Sequence, residues 1–529
     1  MDQILTILSL LQTETHFHFV VTIFILVILI GFYRYYSVFF KTRFPILGKT
    51  LVQGNLEIDK NQVNYKTYAI AISISLFLFI VYFLTSPSVY KEQPDGDAVY
   101  FSMMVVYADK PADLNIPITS LHGNRILAPI LVHALVGKEI KQTIYEYEKL
   151  SGRELTADIF YYWMRQANRV VNGIQENEKA VLSKINQLVW KGFTIVNLIA
   201  FIVQIIFVLA ILAYFRIPSH VALFICFIYS TFFLNVRLYV YWPYMTDPLT
   251  LSFLLAGWYF MLEKRYFLFT GSLIFGVLLK EQLLLLLVAF FFYNLLNNKI
   301  DEPQLNTKII LTRLSVVLFW SIIPLFVYIW LRMHPYFPKQ GNVLPVIEKY
   351  TNFAMHNVGE VHSYSNILSD YVYLFQYHFN KLFSMEGLLK SLLIPINVFG
   401  VLSFLLLKRI KHITCIFSHN NIYMLFYVLP YVFLGMFMVD RYIFYIVPVI
   451  LVLSAFILSN LSSKHSLFFF VVLVLINLLM MKFFIYNLPA HLLQTEYFNI
   501  LMIALSLLQN GLAWILFSMS FTLEKKRLK

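Results

Sequence analysis

Apolar runs of about 15 to 22 residues recur along almost the whole chain, far more of them in series than a water-soluble core can use. That run length matches a bilayer, which a helix crosses with roughly 20 apolar residues. Only 13% of the 529 residues are charged, against roughly 25% in soluble domains, which excludes a soluble enzyme. The fold class expected is therefore all-α, a polytopic membrane protein with about 13 transmembrane helices. The runs lie at roughly 19–36, 67–85, 193–214, 220–236, 248–262, 266–280, 282–297, 309–331, 388–407, 420–438, 442–460, 465–486 and 498–520. With no long Pro/Gly/Ser linker, fixed-period repeat or low-complexity tract, residues 1–529 read as a single integral-membrane domain.

Lys and Arg are retained on the cytoplasmic side of short loops, so their distribution predicts orientation. Arg34, Lys41, Arg43, Lys49, Lys60 and Lys66 follow the first run, and Lys408, Arg409, Lys411 and Lys525, Lys526, Arg527 follow later ones, all on one side. With the N-terminus outside and the C-terminus cytoplasmic, the cytoplasmic side carries 20 Lys and Arg against 6 Asp and Glu, and the outside 21 against 22. The net charge of +13 is thus a topology signal, and no basic surface beyond it suggests nucleic acid. The Leu-rich first 17 residues lack a basic start and a small-residue cleavage site, so no removable leader is read.

Two segments escape the pattern, and both fall outside. The first, 87–192, is a large extracytoplasmic loop with 12 basic and 12 acidic residues and the aromatic stretch Ile159–Trp163. Within it, residues 124–137 are apolar but too short to span, and suit an interfacial helix with nearby aromatics at headgroup depth. The second extracytoplasmic loop is 332–387.

Ionisable groups at the outer ends of spans are costly unless solvated or paired, and often mark a site. Asp95 and Asp97 flank Gly96 just before an apolar helical stretch that includes Tyr100. One carboxylate could deprotonate an acceptor hydroxyl, and the pair could hold a divalent cation; the same residues also read as a solvated helix cap. Arg125, ahead of an interfacial run, could bind a phosphate bidentately or snorkel to ordinary lipid headgroups. Asp247 ends the loop Arg237–Asp247, whose Tyr239, Tyr241, Trp242 and Tyr244 read as an interfacial aromatic belt. Lys280 and Glu281 read as an ion pair interrupting Leu-rich sequence, either a hairpin turn or a counter-charge for a pyrophosphate. Arg441 and Tyr442 form a last outer turn, with Pro448 in the span that follows.

Other chemistries lack their spacing. His334, His356, His362 and His378 are single loop histidines with no metal assigned, and Cys226 and Cys415 form no CxxC. There is no phosphate-binding Gly-x-x-x-x-Gly-Lys loop and no GxSxG elbow.

Taken together, these residues resemble the integral-membrane glycosyltransferases of the C-type fold, which use polyprenyl- or dolichyl-phosphate-linked sugars. Asp95-Gly96-Asp97-Ala98-Val99-Tyr100 looks like the acidic opening of that family's first outer loop, here split by Gly96. Arg125 through Pro129 is similar to its arginine–proline element, Arg441-Tyr442 with Pro448 to its late Arg-Tyr pair, and Thr246-Asp247-Pro248 and Lys280-Glu281 to short outer turns of bacterial members. The resemblance implies inverting transfer of a sugar from a polyprenyl-phosphate donor to a glycan, lipid or protein acceptor on the extracytoplasmic side. Asp97 or Asp95 would be the general base, and Lys280, Arg125 and Arg441 would offset the departing lipid phosphate. Tyr100, Asp247, Glu281 and Tyr442 would complete the substrate site. No cofactor follows with certainty, and a divalent cation stays open. Richness in Asn, Ile, Lys and Phe hints at an AT-rich genome, and a bacterial inner membrane is the expected location. The alternatives are a lipid-linked polysaccharide polymerase or ligase working through the second outer loop, and a transporter or flippase, which would need charges at mid-membrane.

Overall fold

In the computed structural model the described residues are 63, 65–85, 97–111, 125–164, 173–231, 244, 246–296, 307–333, 336, 402, 406, 422–437 and 445–459. They are all-helical, with no strand among them. In chain order the α-helices are α1 (Tyr65–Thr85), α2 (Asp97–Val106), α3 (Leu127–Ser151), α4 (Ala157–Met164), α5 (Glu176–Tyr214), α6 (Ser219–Ser230), α7 (Asp247–Leu262) and α8 (Tyr266–Val277). A 3-10 turn (Glu281–Leu285) leads into α9 (Leu286–Leu296), followed by α10 (Thr307–Met333), α11 (Ile422–Phe437) and α12 (Val447–Ser459).

Nine of the expected spans coincide with these helices. Among the described residues two helices are long and apolar enough to cross a membrane, α5 and the Ile309–Leu331 stretch of α10, while the other apolar helices are shorter. The runs at 266–280 and 282–297 shorten for a local reason: α8 stops at Val277, Lys280 is extended (φ −158°, ψ 128°), and the next five residues form the 3-10 turn. The expected spans at 19–36, 465–486 and 498–520 lie outside the described residues, as does nearly all of 388–407 and of the 332–387 loop.

Two apolar cores form. One gathers α1, the second half of α5, α6 to α9, α11 and α12 around Leu255, Trp258, Phe290 and Tyr427. The other joins α2, α3, α4 and the first half of α5 around Phe101, Val132, Phe160 and Val189. The 39-residue helix α5, about 58 Å long at 1.5 Å per residue, belongs to both.

This changes the expected outer segment in three ways. Its last helix does not end at residue 192 but runs unbroken into the predicted span. The apolar stretch at 124–137 is the opening of a 25-residue helix, because the more polar half keeps an apolar stripe, Ile140, Thr143 and Tyr147, buried with Val132 and Val136. Gly152 ends α3 in the left-handed region at φ 67°, its N–H donating to the Glu148 carbonyl. Third, Phe160 and Tyr161 of α4 are core side chains of the second cluster.

Helices α3 and α5 run antiparallel, bracketed by Lys184–Glu146 and Arg153–Glu178 ion pairs, each at 2.8 Å. Between them Gly192 permits close approach: a Cβ there would stand 2.6 Å from Val132 Cγ1 and 3.2 Å from Val136 Cγ2, methyls of β-branched side chains with few rotamers to escape into. Gly192→Ala should cost about 1–3 kcal/mol by overpacking, read as a lower unfolding midpoint of the purified protein.

The end of α2 is fastened to α3 by His133, whose Nδ1 donates to the Val105 carbonyl (2.7 Å) and whose Nε2 lies 3.1 Å from Asp109 Oδ2. Lys141 pairs with the same carboxylate at 2.5 Å, and its hydrogen bond, the largest cause, holds the Asp109 carboxyl below its usual value. A depressed carboxylate contributes fully above the unfolded value, near 3.9, and loses its contribution as pH falls through the lower folded value. Hydrogen exchange at residues 103–111 should therefore rise as pH falls below about 4, after correction for intrinsic rates.

Candidate functional site

The first turns of α7 are fixed against α5 by side chains inside the bundle. Gln204 Nε2 donates to the Pro248 carbonyl (2.5 Å) and to Ser252 Oγ (3.2 Å), Ser252 Oγ donates to the Ala200 carbonyl (2.9 Å), and Tyr229 donates to Gln204 Oε1. Satisfied polar contacts of this kind bind helices where there is no water to compete. They set the first residue of α7, Asp247, where the helix dipole favours a carboxylate.

A reversal after α8 brings the second component. The N–H groups of Leu279 and Lys280 both donate to the Gly276 carbonyl, at 3.0 and 2.8 Å, and the 3-10 turn then folds back over that glycine. A Cβ on Gly276 would fall 1.9 Å from Leu283 Cδ2 and 3.2 Å from its Cγ, so any side chain there would force Leu283 to move. Lys280 thereby reaches Asp247: Nζ to Oδ1 is 2.5 Å, with Lys280 1% and Asp247 4% exposed. The Tyr445 hydroxyl donates to the same oxygen at 2.9 Å.

The third component comes from the chain entering α3. The Leu127 N–H donates to the Leu278 carbonyl (3.2 Å), which ties the start of α3 to the reversal. Arg125, two residues earlier and buried, sits with Nη2 3.4 Å from Glu281 Oε1, which also accepts from Gln282 Nε2 at 3.2 Å. The expectation that Lys280 and Glu281 pair with each other is thus corrected. The extended backbone at Lys280 sends the two side chains apart, one to Asp247 and the other to Arg125.

Four predicted site residues, Arg125, Asp247, Lys280 and Glu281, therefore converge from three separate stretches at the seam between the two cores. Leu279 and Tyr244 beside them pack into the core of α2, α3, α4 and the first half of α5, while Leu251 and Leu283 pack into the other. Burial pushes the Tyr244 phenol up, so it remains a neutral donor to Asn186 Oδ1 (3.2 Å) rather than part of an exposed belt. Tyr100 is not among the four: it lies on α2 with its ring 6.4 Å from that of Tyr161. Asp97 is the first residue of α2; its carboxylate, together with Asp95, Arg441 and Tyr442, lies outside the described residues.

Residues that sequence reading missed are Tyr445, Tyr427, Tyr431 and Gln282. Tyr431 OH donates to the Gln282 carbonyl (2.8 Å) and Tyr427 OH to the Tyr445 carbonyl (2.7 Å). Their signal was the i, i+4, i+8 spacing of Tyr423, Tyr427 and Tyr431 on α11, which puts the three on one face. Among the described residues no group of three or more His, Cys, Asp or Glu could hold a metal ion. What the arrangement offers instead is two desolvated cations, each held by a carboxylate that an entering anion would have to replace.

Comparison of the chain with family models, with curated proteins and with solved structures finds no match in any of the three.

Proposed function

We propose that the chain is a polytopic membrane glycosyltransferase that moves a sugar from a polyprenyl-phosphate donor to an acceptor on the extracytoplasmic side, with about thirteen spans and a bacterial inner-membrane location. The observation that carries this reading is the convergence of Arg125, Asp247, Lys280 and Glu281 at one end of the apolar bundle. From Asp247 to Leu262 helix α7 rises about 24 Å, and Glu263, Lys264 and Arg265 follow it. With a hydrocarbon core of roughly 30 Å, this separation suits a charged cluster near one headgroup plane and a basic turn near the other.

The cleavable bond of a lipid-phosphate donor lies at that depth. In the proposed reaction the acceptor hydroxyl loses its proton to Asp97 or Asp95 while its oxygen attacks the anomeric carbon. The bond from that carbon to the phosphate oxygen breaks, the configuration inverts, and polyprenyl phosphate leaves carrying the electron pair. Lys280, Arg125 and Arg441 offset its charge, the first two by exchanging Asp247 and Glu281 for phosphate oxygens. Tyr100, Tyr442 and the displaced carboxylates contact sugar or acceptor.

The test is direct. The full chain, reconstituted in phospholipid vesicles with membrane extract as acceptor source, receives a panel of polyprenyl-phosphate hexoses and pentoses radiolabelled in the sugar. At least one should lose label from the lipid-phosphate fraction only when the chain is present. A panel left intact would sink the proposal.

A further inference from the structure

The charged cluster is built from segments far apart in the chain, and none of Asp247, Lys280 or Glu281 is anchored by its own element alone. Helix α11 supplies what is missing. Tyr427 and Tyr431 stand one turn apart on it, both fully buried, with ring centroids 5.1 Å apart. The Tyr427 ring packs on Trp258 of α7 at 4.5 Å, and the Tyr431 ring on Tyr445 at 5.7 Å. Each hydroxyl reaches a backbone carbonyl of another segment. One donates to the backbone carbonyl of Tyr445, the residue whose own hydroxyl reaches Asp247 Oδ1. The other donates to the backbone carbonyl of Gln282, whose side-chain amide reaches Glu281 Oε1 and whose turn begins at Lys280.

From this juxtaposition we infer that Tyr427 and Tyr431 are positioning residues for the charged cluster: a two-pronged brace on α11 that fixes the Asp247 side through Tyr445 and the Lys280–Glu281 side through Gln282. A packing role needs only the rings. The hydroxyls, by contrast, both end on carbonyls of the two short non-α-helical segments that carry site side chains, and α11 contributes no charged group itself. The assignment rests on the proposed transferase reading for its catalytic meaning, but the brace is a statement about geometry that can be read without any reaction.

The experiment uses Tyr427→Phe, Tyr431→Phe and the double variant in the full chain, since Phe keeps the rings and removes the two donors. Hydrogen–deuterium exchange in vesicles is the first readout. Tyr431→Phe should raise exchange by about tenfold in the peptide over 279–286, and Tyr427→Phe in the peptide over 444–447, while α5, α7 and α11 themselves stay as protected as in the parent. The second readout, where a donor is found, is a kcat for sugar transfer lowered roughly tenfold with KM changed less than twofold, because small displacement of a charge-stabilising group is felt in the transition state. Unchanged exchange in both peptides overturns the inference. So does a rise spread over the whole bundle, which would make the tyrosines packing residues. A parent chain with no transfer activity defeats the transferase reading alone, and the exchange pattern still decides whether the brace exists.

Discussion

Replacing Lys280 with alanine is expected to cost about 3–5 kcal/mol, the range found when one partner of a buried ion pair is removed and the other charge stays behind. Both members are almost wholly shielded from solvent, and the neutral Tyr445 hydroxyl that also donates to Asp247 carries no charge to replace the ammonium. A thermal shift assay in detergent should register a fall of several degrees for Lys280→Ala and a similar one for Asp247→Ala. The decisive variant is Asp247→Asn with Lys280→Met, which leaves no charge behind and keeps the volume. It should recover most of the loss, since the penalty belongs to the orphaned charge and not to the missing attraction. If the single variants melt with the parent, the pair is not buried in the working protein, and the seam between the two cores is not where the cluster forms.

The largest effect on activity should come from Asp97→Asn. A general base in a transfer of this type contributes roughly 10²–10⁴-fold, so transfer should drop into that range while binding of the lipid donor persists. Asparagine is a sound choice at this position. Asp97 opens α2, and Asn there retains the shape and hydrogen-bonding capacity that suit a helix start. Asp95→Asn serves as the partner measurement, because Gly96 separates the two carboxylates and either could face the acceptor. Loss in one variant alone names the base. Full activity in both would remove the acidic turn from the mechanism and move attention to the later outer segment.

How far the sequence could be read depended on the range of the interaction. Span-length runs, and the breaks at Lys280 and before Asp247, are local properties, and the helices follow them closely. Choosing Arg125, Asp247, Lys280 and Glu281 also needed only local reasoning, since charge beside an apolar run is costly wherever the chain goes. Which of them pair is a different matter. Lys280 and Glu281 look like partners in one dimension, yet the φ and ψ at Lys280 turn them to opposite neighbours 33 and 156 positions away. The tyrosines of α11 share a face by their spacing, but their role could not be read for the same reason: a buried hydroxyl gains its meaning from the carbonyl it meets, and those carbonyls come from other segments. The length of α3 was underread because its second half is polar enough to resemble a loop until α5 covers its apolar stripe.

The unbroken course of α5 has a mechanical corollary. A segment that clamps over a substrate needs a pivot, a glycine or proline pair or a frayed turn at its root, and none interrupts the rod between Glu176 and Tyr214; its lone Gly192 is wedged against Val132. The upper helices therefore stand on the bundle like a mast stepped through a deck, unable to nod like a jaw. Any closure over Lys280 would therefore have to come from segments other than α5.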